Sequence, residues 1–177
     1  TASNTVAIGN SAIGLGVMTG SDNIAIGRSS GYDLTNGAYN LFAGYSSGAN
    51  VTTASFTIAL GYSAIGLGVL TGTDNIAIGN GAGYDLTSGT YNIFQGYNAG
   101  ANVTTGAKNI FQGYLAGQNA TTADYTVAIG TSAIGSGILT GIRNIAIGDQ
   151  AGYDLTSGTY NVFQGFYAGF NATTASN

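Results

Sequence analysis

The chain contains no histidine, cysteine, glutamate or proline. Ser-His-Asp and Cys-His centres, zinc sites made of cysteine and histidine, and paired glutamates therefore cannot be assembled from it. Of the seven aspartates, Asp33, Asp85 and Asp154 occupy equivalent repeats, which lie too far apart along the chain for one metal ion. The sequence predicts a protein that is not an enzyme and has no cofactor and no metal site.

Charged residues are also scarce, at 6% of the chain, against roughly 25% in ordinary soluble domains. Only Arg28, Lys108 and Arg143 carry a strong positive charge, and the formal net charge is −4. Because no basic surface can form, nucleic acid is not expected as a partner. No apolar run approaches the roughly 18 residues of a membrane span, so membrane insertion is not expected either.

A five-residue unit, seen as Asn-Ile-Ala-Ile-Gly at residues 75–79, recurs along the whole chain. A fixed short period of this kind is the signature of a solenoid, in which each repeat is one rung. Short apolar runs that end at glycine, without helical periodicity, favour strands. We therefore predict an all-β fold in which residues 1–177 form one parallel β-solenoid, a β-helix or β-roll of ten rungs, about 48 Å long. The final glycine of each unit, the marker glycine, recurs at spacings of 17 or 18 residues, at Gly9, Gly27, Gly44, Gly61, Gly79, Gly96, Gly113, Gly130, Gly148 and Gly165.

Three rung types alternate in the order ABC, ABC, C, ABC. Type A has Val-Ala-Ile-Gly or a close variant and one extra residue, type B has Asn-Ile-Ala-Ile-Gly, and type C has phenylalanine two residues before the marker glycine. The last four residues of the chain repeat the first four in phase. We expect from this that the chain is a segment of a longer array, or that copies stack end to end.

Positions within a rung are counted from its marker glycine. Position −3 is aliphatic in every rung, from Val6 to Val162, and this column is predicted to be the solenoid core. Position −2, which must face the other way in a strand, is always alanine or phenylalanine. A strand that is apolar on both faces is expected to be buried on both. We therefore predict that the second face packs against a second layer of the same coil or against neighbouring chains, and we favour chains around a common axis, most simply a homotrimer.

Position −4 is asparagine in seven rungs and threonine in the three A rungs. Stacked amides can hydrogen-bond along the rod, so these side chains are predicted to form a structural ladder. The phenylalanines of the C rungs are predicted to stack in the same way. The predicted ladder residues are Asn23, Asn40, Asn75, Asn92, Asn109, Asn144 and Asn161, with Phe42, Phe94, Phe111 and Phe163.

Tyrosine and threonine also recur in columns, which offers a second interpretation of the surface. Tyrosines such as Tyr45 and Tyr84 are expected mostly to be packing ladders, although they also suit glycan stacking. The threonine column, for instance Thr35 and Thr87, raises ice binding as an alternative, without a paired Thr-x-Thr strand. Four Asn-x-Thr sequons, beginning at Asn50, Asn102, Asn119 and Asn171, are expected to be turn residues first and glycan acceptors second.

The motif Asn-Ile-Ala-Ile-Gly-x-x-Ala-Gly-Tyr-x-Leu-Thr-x-Gly at residues 75–89 resembles the short repeats of phage tail-fibre shafts. The Val-Ala-Ile-Gly sequences at residues 6–9 and 127–130 resemble the head repeats of trimeric autotransporter adhesins. The resemblance implies a trimeric, extracellular fibre, on a virion or a cell surface, that spaces or presents a receptor-binding tip. A cell-surface receptor or glycan would then be bound by parts outside this chain. The alternative is a solenoid that binds ice or glycan directly through its Thr or Tyr columns.

Overall fold

The computed structural model describes residues 2–14 and 18–176 and contains ten short β-strands. Each strand occupies the three residues before a marker glycine. The strands are β1 (Val6–Ile8), β2 (Ile24–Ile26), β3 (Leu41–Ala43), β4 (Ile58–Leu60), β5 (Ile76–Ile78), β6 (Ile93–Gln95), β7 (Ile110–Gln112), β8 (Val127–Ile129), β9 (Ile145–Ile147) and β10 (Val162–Gln164).

All ten strands form one parallel sheet in sequence order, so that each rung stacks directly on the next. Equivalent residues are partners throughout, as in the pairing of Ile93 with Ile110 and Phe94 with Phe111. With nine steps of about 4.8 Å, the ten strands span about 43 Å along the rod. The prediction of an all-β parallel solenoid is confirmed.

The marker glycines end the strands and allow the rungs to approach closely. Gly113 has φ of +139°, in the region that side-chain-bearing residues avoid. A Cβ at Gly113 would overlap the carbonyl group of Gly130 in the next rung, at 2.7 Å from its carbon atom. The turn therefore requires glycine both for its backbone angle and for its lack of a side chain.

Position −2 faces the core, together with residues such as Leu34 and Val103. The predictions that the aliphatic column at position −3 is the core and that position −2 packs against other chains are therefore both wrong. Ala59, Phe94 and Ala128 are fully buried, whereas Ile93 is 38% exposed and Val162 is 64% exposed. The coil interior is narrow. At position −2 it accommodates either alanine or a phenylalanine whose ring packs against a glycine. A Cβ at Gly48 would lie only 2.7 Å from Cδ1 of Phe42. The branched residues of position −3 occupy the open, pleated side of the sheet.

The three rung types are three ways of filling one cross-section. A rungs place an isoleucine in the interior four residues after the marker glycine, as Ile65 does, where B and C rungs have glycine. B rungs have only alanine and glycine at these two places, and their neighbours fill the space. A Cβ at Gly83 of a B rung would lie 2.8 Å from Phe94 of the C rung and 3.6 Å from Ile65 of the A rung.

A first prediction concerns this shared interior. Phe94→Leu should lower the free energy of unfolding by about 1–2 kcal/mol, because the smaller side chain leaves a void that the stacked rungs cannot close. The half-buried Phe163 in the last described rung provides the matched control, and Phe163→Leu should cost less than half as much. Urea unfolding followed by far-UV circular dichroism measures both values. Equal losses at the two positions would contradict this packing of the interior.

Candidate functional site

The asparagines at position −4 lie inside the coil and are 0–2% exposed. Asn92 shows the full bonding pattern. Its Nδ2 donates to Oδ1 of Asn75 at 3.1 Å and to the carbonyl of Gly106 at 2.8 Å. Its Oδ1 accepts from the backbone N–H of Asn109 at 3.0 Å and from Nδ2 of Asn109 at 3.1 Å. The Asn92 amide thus links its own rung to the rungs on both sides.

The A rungs divide these asparagines into three separate ladders. One joins Asn23 and Asn40, a second joins Asn75, Asn92 and Asn109, and a third joins Asn144 and Asn161. The first two end where the backbone N–H of Thr57 or Thr126 donates to the last amide oxygen. The threonine hydroxyls donate to carbonyls of their own rung. Among the described residues, no buried side-chain nitrogen or oxygen lacks a hydrogen-bond partner.

The phenylalanines of the C rungs are brought together only once. Phe94 and Phe111 lie in adjacent rungs, and their rings stack with centroids 5.5 Å apart. Phe42 is fully buried between two rungs that have alanine at the same position. Phe163 lies in β10, and its neighbour in β9 is Ala146. Their role is therefore to fill the core.

The threonine column is tied into the backbone of the coil. The hydroxyls of Thr35, Thr87 and Thr104 donate to carbonyls one rung further on, at 3.0–3.1 Å. Those donors are therefore not available to order water molecules as an ice-binding face requires. The arrangement favours a structural role for this column.

An open groove of about 350 Å³ is lined by Tyr62, Tyr84, Asn98, Asn102 and Gln118, among others. The sequon residue Asn102 donates from Nδ2 to Oδ1 of Asn119, which itself donates to the carbonyl of Gly135. These amides are engaged within the coil, as expected for turn residues. Near the groove, partial burial raises the pKa of Asp85 above its ordinary value.

The side of the sheet that faces away from the core forms a regular surface along the coil. From position −5 to position +1 exposure alternates residue by residue, and in the sixth rung Tyr91, Ile93, Gln95 and Tyr97 are exposed while Asn92 and Phe94 are buried. We call positions −5, −3, −1 and +1 of the ten rungs the outer sheet face. Its two edges are the columns Asn4, Asp22, Tyr39, Phe56, Asp74, Tyr91, Lys108, Tyr125, Arg143, Tyr160 and Asn10, Arg28, Tyr45, Tyr62, Asn80, Tyr97, Tyr114, Thr131, Asp149, Phe166.

Side chains stack along both edge columns. Tyr45 and Tyr62 are parallel, with ring centroids 5.2 Å apart, and Tyr39 stacks on Phe56 at 5.0 Å. In contrast to these exposed rings, Tyr84 is half-buried. Tyrosines that look equivalent in the sequence therefore lie in different environments.

Cations and aromatic rings alternate in the column at position −5. Lys108 Nζ lies 4.7 Å from the ring centroid of Tyr125 and donates to its hydroxyl at 2.8 Å. Arg143 lies between Tyr125 and Tyr160, at 5.1 and 5.4 Å from their ring centroids. The hydrogen bond to Tyr125 raises the pKa of Lys108 above its ordinary value.

The described residues contain no group of three or more His, Cys, Asp or Glu side chains placed to hold a metal ion. Within the same ranges, no helix is long and apolar enough to cross a membrane. The candidate site is the outer sheet face, whose aromatic, aliphatic and few charged groups suit binding and packing.

Neither protein-family models nor curated proteins nor solved structures include a match to this chain. The function is therefore inferred from the geometry of the coil and the chemistry of its faces.

Proposed function

We propose that this chain is a structural shaft of an extracellular fibre, on a virion or a cell surface, which spaces or presents an adhesive tip. The observation that carries the proposal is the uninterrupted stacking of ten rungs in one register. Backbone hydrogen bonds join neighbouring rungs at the strand and in the turns, as from Ile93 to Asn109 and from Gly100 to Ala116. A coil bonded on all sides in this way is suited to hold its ends at a fixed distance.

In this proposal the shaft is a homotrimer, and the receptor or glycan is bound by parts outside this chain. The trimer is supported by the aliphatic outer sheet face, which the coil itself leaves exposed. The second candidate is a glycan-binding solenoid, and the stacked, exposed rings of Tyr45 and Tyr62 are the observation that favours it. Planar sugar faces pack on such rings.

Glycan-array binding separates the two functions. The shaft predicts that the chain gives no saturable signal, and that a Tyr45→Ala, Tyr62→Ala variant behaves in the same way. Leu67→Ala, an exposed change outside both edge columns, is the matched control, and circular dichroism verifies the fold of each protein. Saturable binding that the double variant loses and Leu67→Ala keeps would overturn the shaft as the sole function.

A further inference from the structure

The centre of the outer sheet face is mostly aliphatic where a solvated sheet face would be polar, and Gln95, Gln112 and Gln164 are its polar residues. Ile24 and Ile26 of β2 are 38% and 42% exposed, and Ile145 and Ile147 of β9 are 38% and 40% exposed. A sheet with one face in water normally alternates apolar residues inside with polar residues outside. A contiguous apolar surface of this kind marks an interaction site.

The outer sheet face is also large enough for a stable interface. Seven residues of nearly extended chain cover roughly 20 Å, and ten strands cover about 43 Å, which gives about 850 Å². Stable protein interfaces bury about 800 Å² on each partner. One partner that covers the whole face would therefore be sufficient.

The two edges of the face carry opposite charges in the second and ninth rungs, whereas Asp74 and Lys108 have the uncharged Asn80 and Tyr114 at the other edge. The second rung has Asp22 at position −5 and Arg28 at position +1, and the ninth rung has Arg143 and Asp149 in the same places. Between the second and the ninth rung, the sign of the charge is therefore reversed at both edges. The strands between these edges, β2 and β9, are nevertheless identical in sequence. The two edges lie roughly 20 Å apart within one chain, so no contact inside the coil explains the match.

Aromatic residues stand at both edges of the third, fourth, sixth and tenth rungs, and at one edge only of the seventh and eighth. The sixth rung has Tyr91 and Tyr97 at its two edges, and the tenth has Tyr160 and Phe166. The first rung has Asn4 and Asn10. Such matching is expected if the edge at position −5 of one chain meets the edge at position +1 of another in the same rung.

We propose that the outer sheet face packs against the same face of further copies of this chain, with rod axes parallel and rungs in register. Asp22 then meets Arg28 of the neighbouring copy, and Arg143 meets Asp149 of the neighbouring copy. An antiparallel arrangement also pairs these charges, because it sets the second rung against the ninth. It places Asn4 against Tyr160, however, and it pairs fewer aromatic residues with each other than the parallel arrangement does.

This packing deepens the proposed trimeric shaft by naming the surface that holds it together. The contact between position −5 of one chain and position +1 of the next can form around either a two-fold or a three-fold axis parallel to the rod. The trimer is the three-fold case. The face and its register are tested independently of what the fibre attaches to.

Chemical cross-linking tests the proposal directly, because the chain contains no native cysteine. The variant Tyr125→Cys, Thr131→Cys places one thiol at each edge of the eighth rung. A bis-maleimide linker too short to span the roughly 20 Å between them cannot join the two within one chain. We expect a closed covalent trimer on a denaturing gel. A closed covalent dimer would support the face and its register and would overturn the three-fold symmetry of the proposed shaft.

Two control variants fix the register and direction. Tyr91→Cys, Thr131→Cys sets the thiols two rungs out of register, and we expect at least a tenfold lower yield of covalent oligomer. Tyr39→Cys, Tyr125→Cys joins chains only in the antiparallel arrangement. Efficient cross-linking of either control, or none in the in-register variant, would overturn the proposal while leaving a single-chain shaft intact.

A substitution on the face gives an independent readout from the unmodified protein. Light scattering should give about three times the chain mass of 17.6 kDa, and Ile93→Lys should reduce it to one chain because it places a charge in the centre of the interface. Ile138→Lys, at a more exposed site outside the strands, should leave the mass unchanged. A single-chain mass for the unmodified protein would overturn the proposal.

Discussion

A Gly113→Ala variant is expected to lose about 4 kcal/mol or more of its free energy of unfolding, an effect well beyond that of a typical point mutation. The added Cβ would overlap the carbonyl of Gly130, and carbon atoms at 2.7 Å are far inside their optimal separation of about 3.5–4.0 Å. The β7 and β8 strands on either side are held in register by their hydrogen bonds, so the clash cannot be relieved without separating two rungs. Urea unfolding followed by circular dichroism measures the loss.

Gly165 supplies the matched control for this effect. Its φ is +120°, so alanine is strained there as well, but a Cβ at Gly165 meets no atom within 4 Å. Gly165→Ala should therefore cost only the backbone strain, about 1–3 kcal/mol. If Gly113→Ala were no more destabilising than Gly165→Ala, close approach between rungs would not be what requires glycine at the marker position.

The sequence predicts the architecture of this coil well because the architecture is repetitive. The spacing of the marker glycines sets the number of rungs, and the three residues before each of them form the observed strands β1 to β10. Two apolar residues and then a third residue before glycine, itself apolar in seven of the ten rungs, form an unambiguous pattern when it recurs along the whole chain. The register follows from the same repeat, since equivalent residues can stack only if the rungs are in phase.

The assignment of the two sheet faces cannot be made from hydrophobicity alone. Position −3 is the more aliphatic column, yet Ile93 is exposed and Phe94 is buried. The informative signal is which positions lie an even number of residues apart. Side chains alternate between the two faces along a strand, so Asn92 at position −4 shares a face with Phe94 at position −2. An amide ladder needs partners on both sides and protection from water, which assigns the asparagine face to the interior.

Turn conformations could not be predicted from residue type. All ten residues at position −5 have φ between 54° and 61°, among them Tyr39, Phe56 and Arg143. Glycine and asparagine normally occupy this left-handed region, and bulky residues there are outliers. The rung-to-rung hydrogen bonds fix the turn, as with Tyr39 N–H to the carbonyl of Ser21, so the turn does not dictate which residue stands at position −5.

The asparagine ladder gives the second large expected effect, in an Asn92→Leu variant. Leucine has the same number of side-chain heavy atoms and a similar branched shape but removes four hydrogen bonds, and it leaves the backbone N–H of Asn109 and the carbonyl of Gly106 without these partners. An unsatisfied buried polar group costs about 1–3 kcal/mol, so we expect a loss of roughly 4 kcal/mol. Thermal and urea unfolding give the value.

The control is Asn80→Leu in the neighbouring B rung. Asn80 is exposed at position +1, and its replacement should change the free energy of unfolding by less than about 0.5 kcal/mol.

Amide hydrogen exchange adds spatial resolution, because breaking the middle of the ladder in Asn92→Leu should speed exchange at Asn109 N–H more than at the N–H of Asn161 in the separate third ladder. Equal acceleration at both would mean that the three ladders act as one cooperative unit despite the intervening A rung. A stability loss no larger than that of Asn80→Leu would show that the ladder follows from the stacking of the rungs and does not cause it.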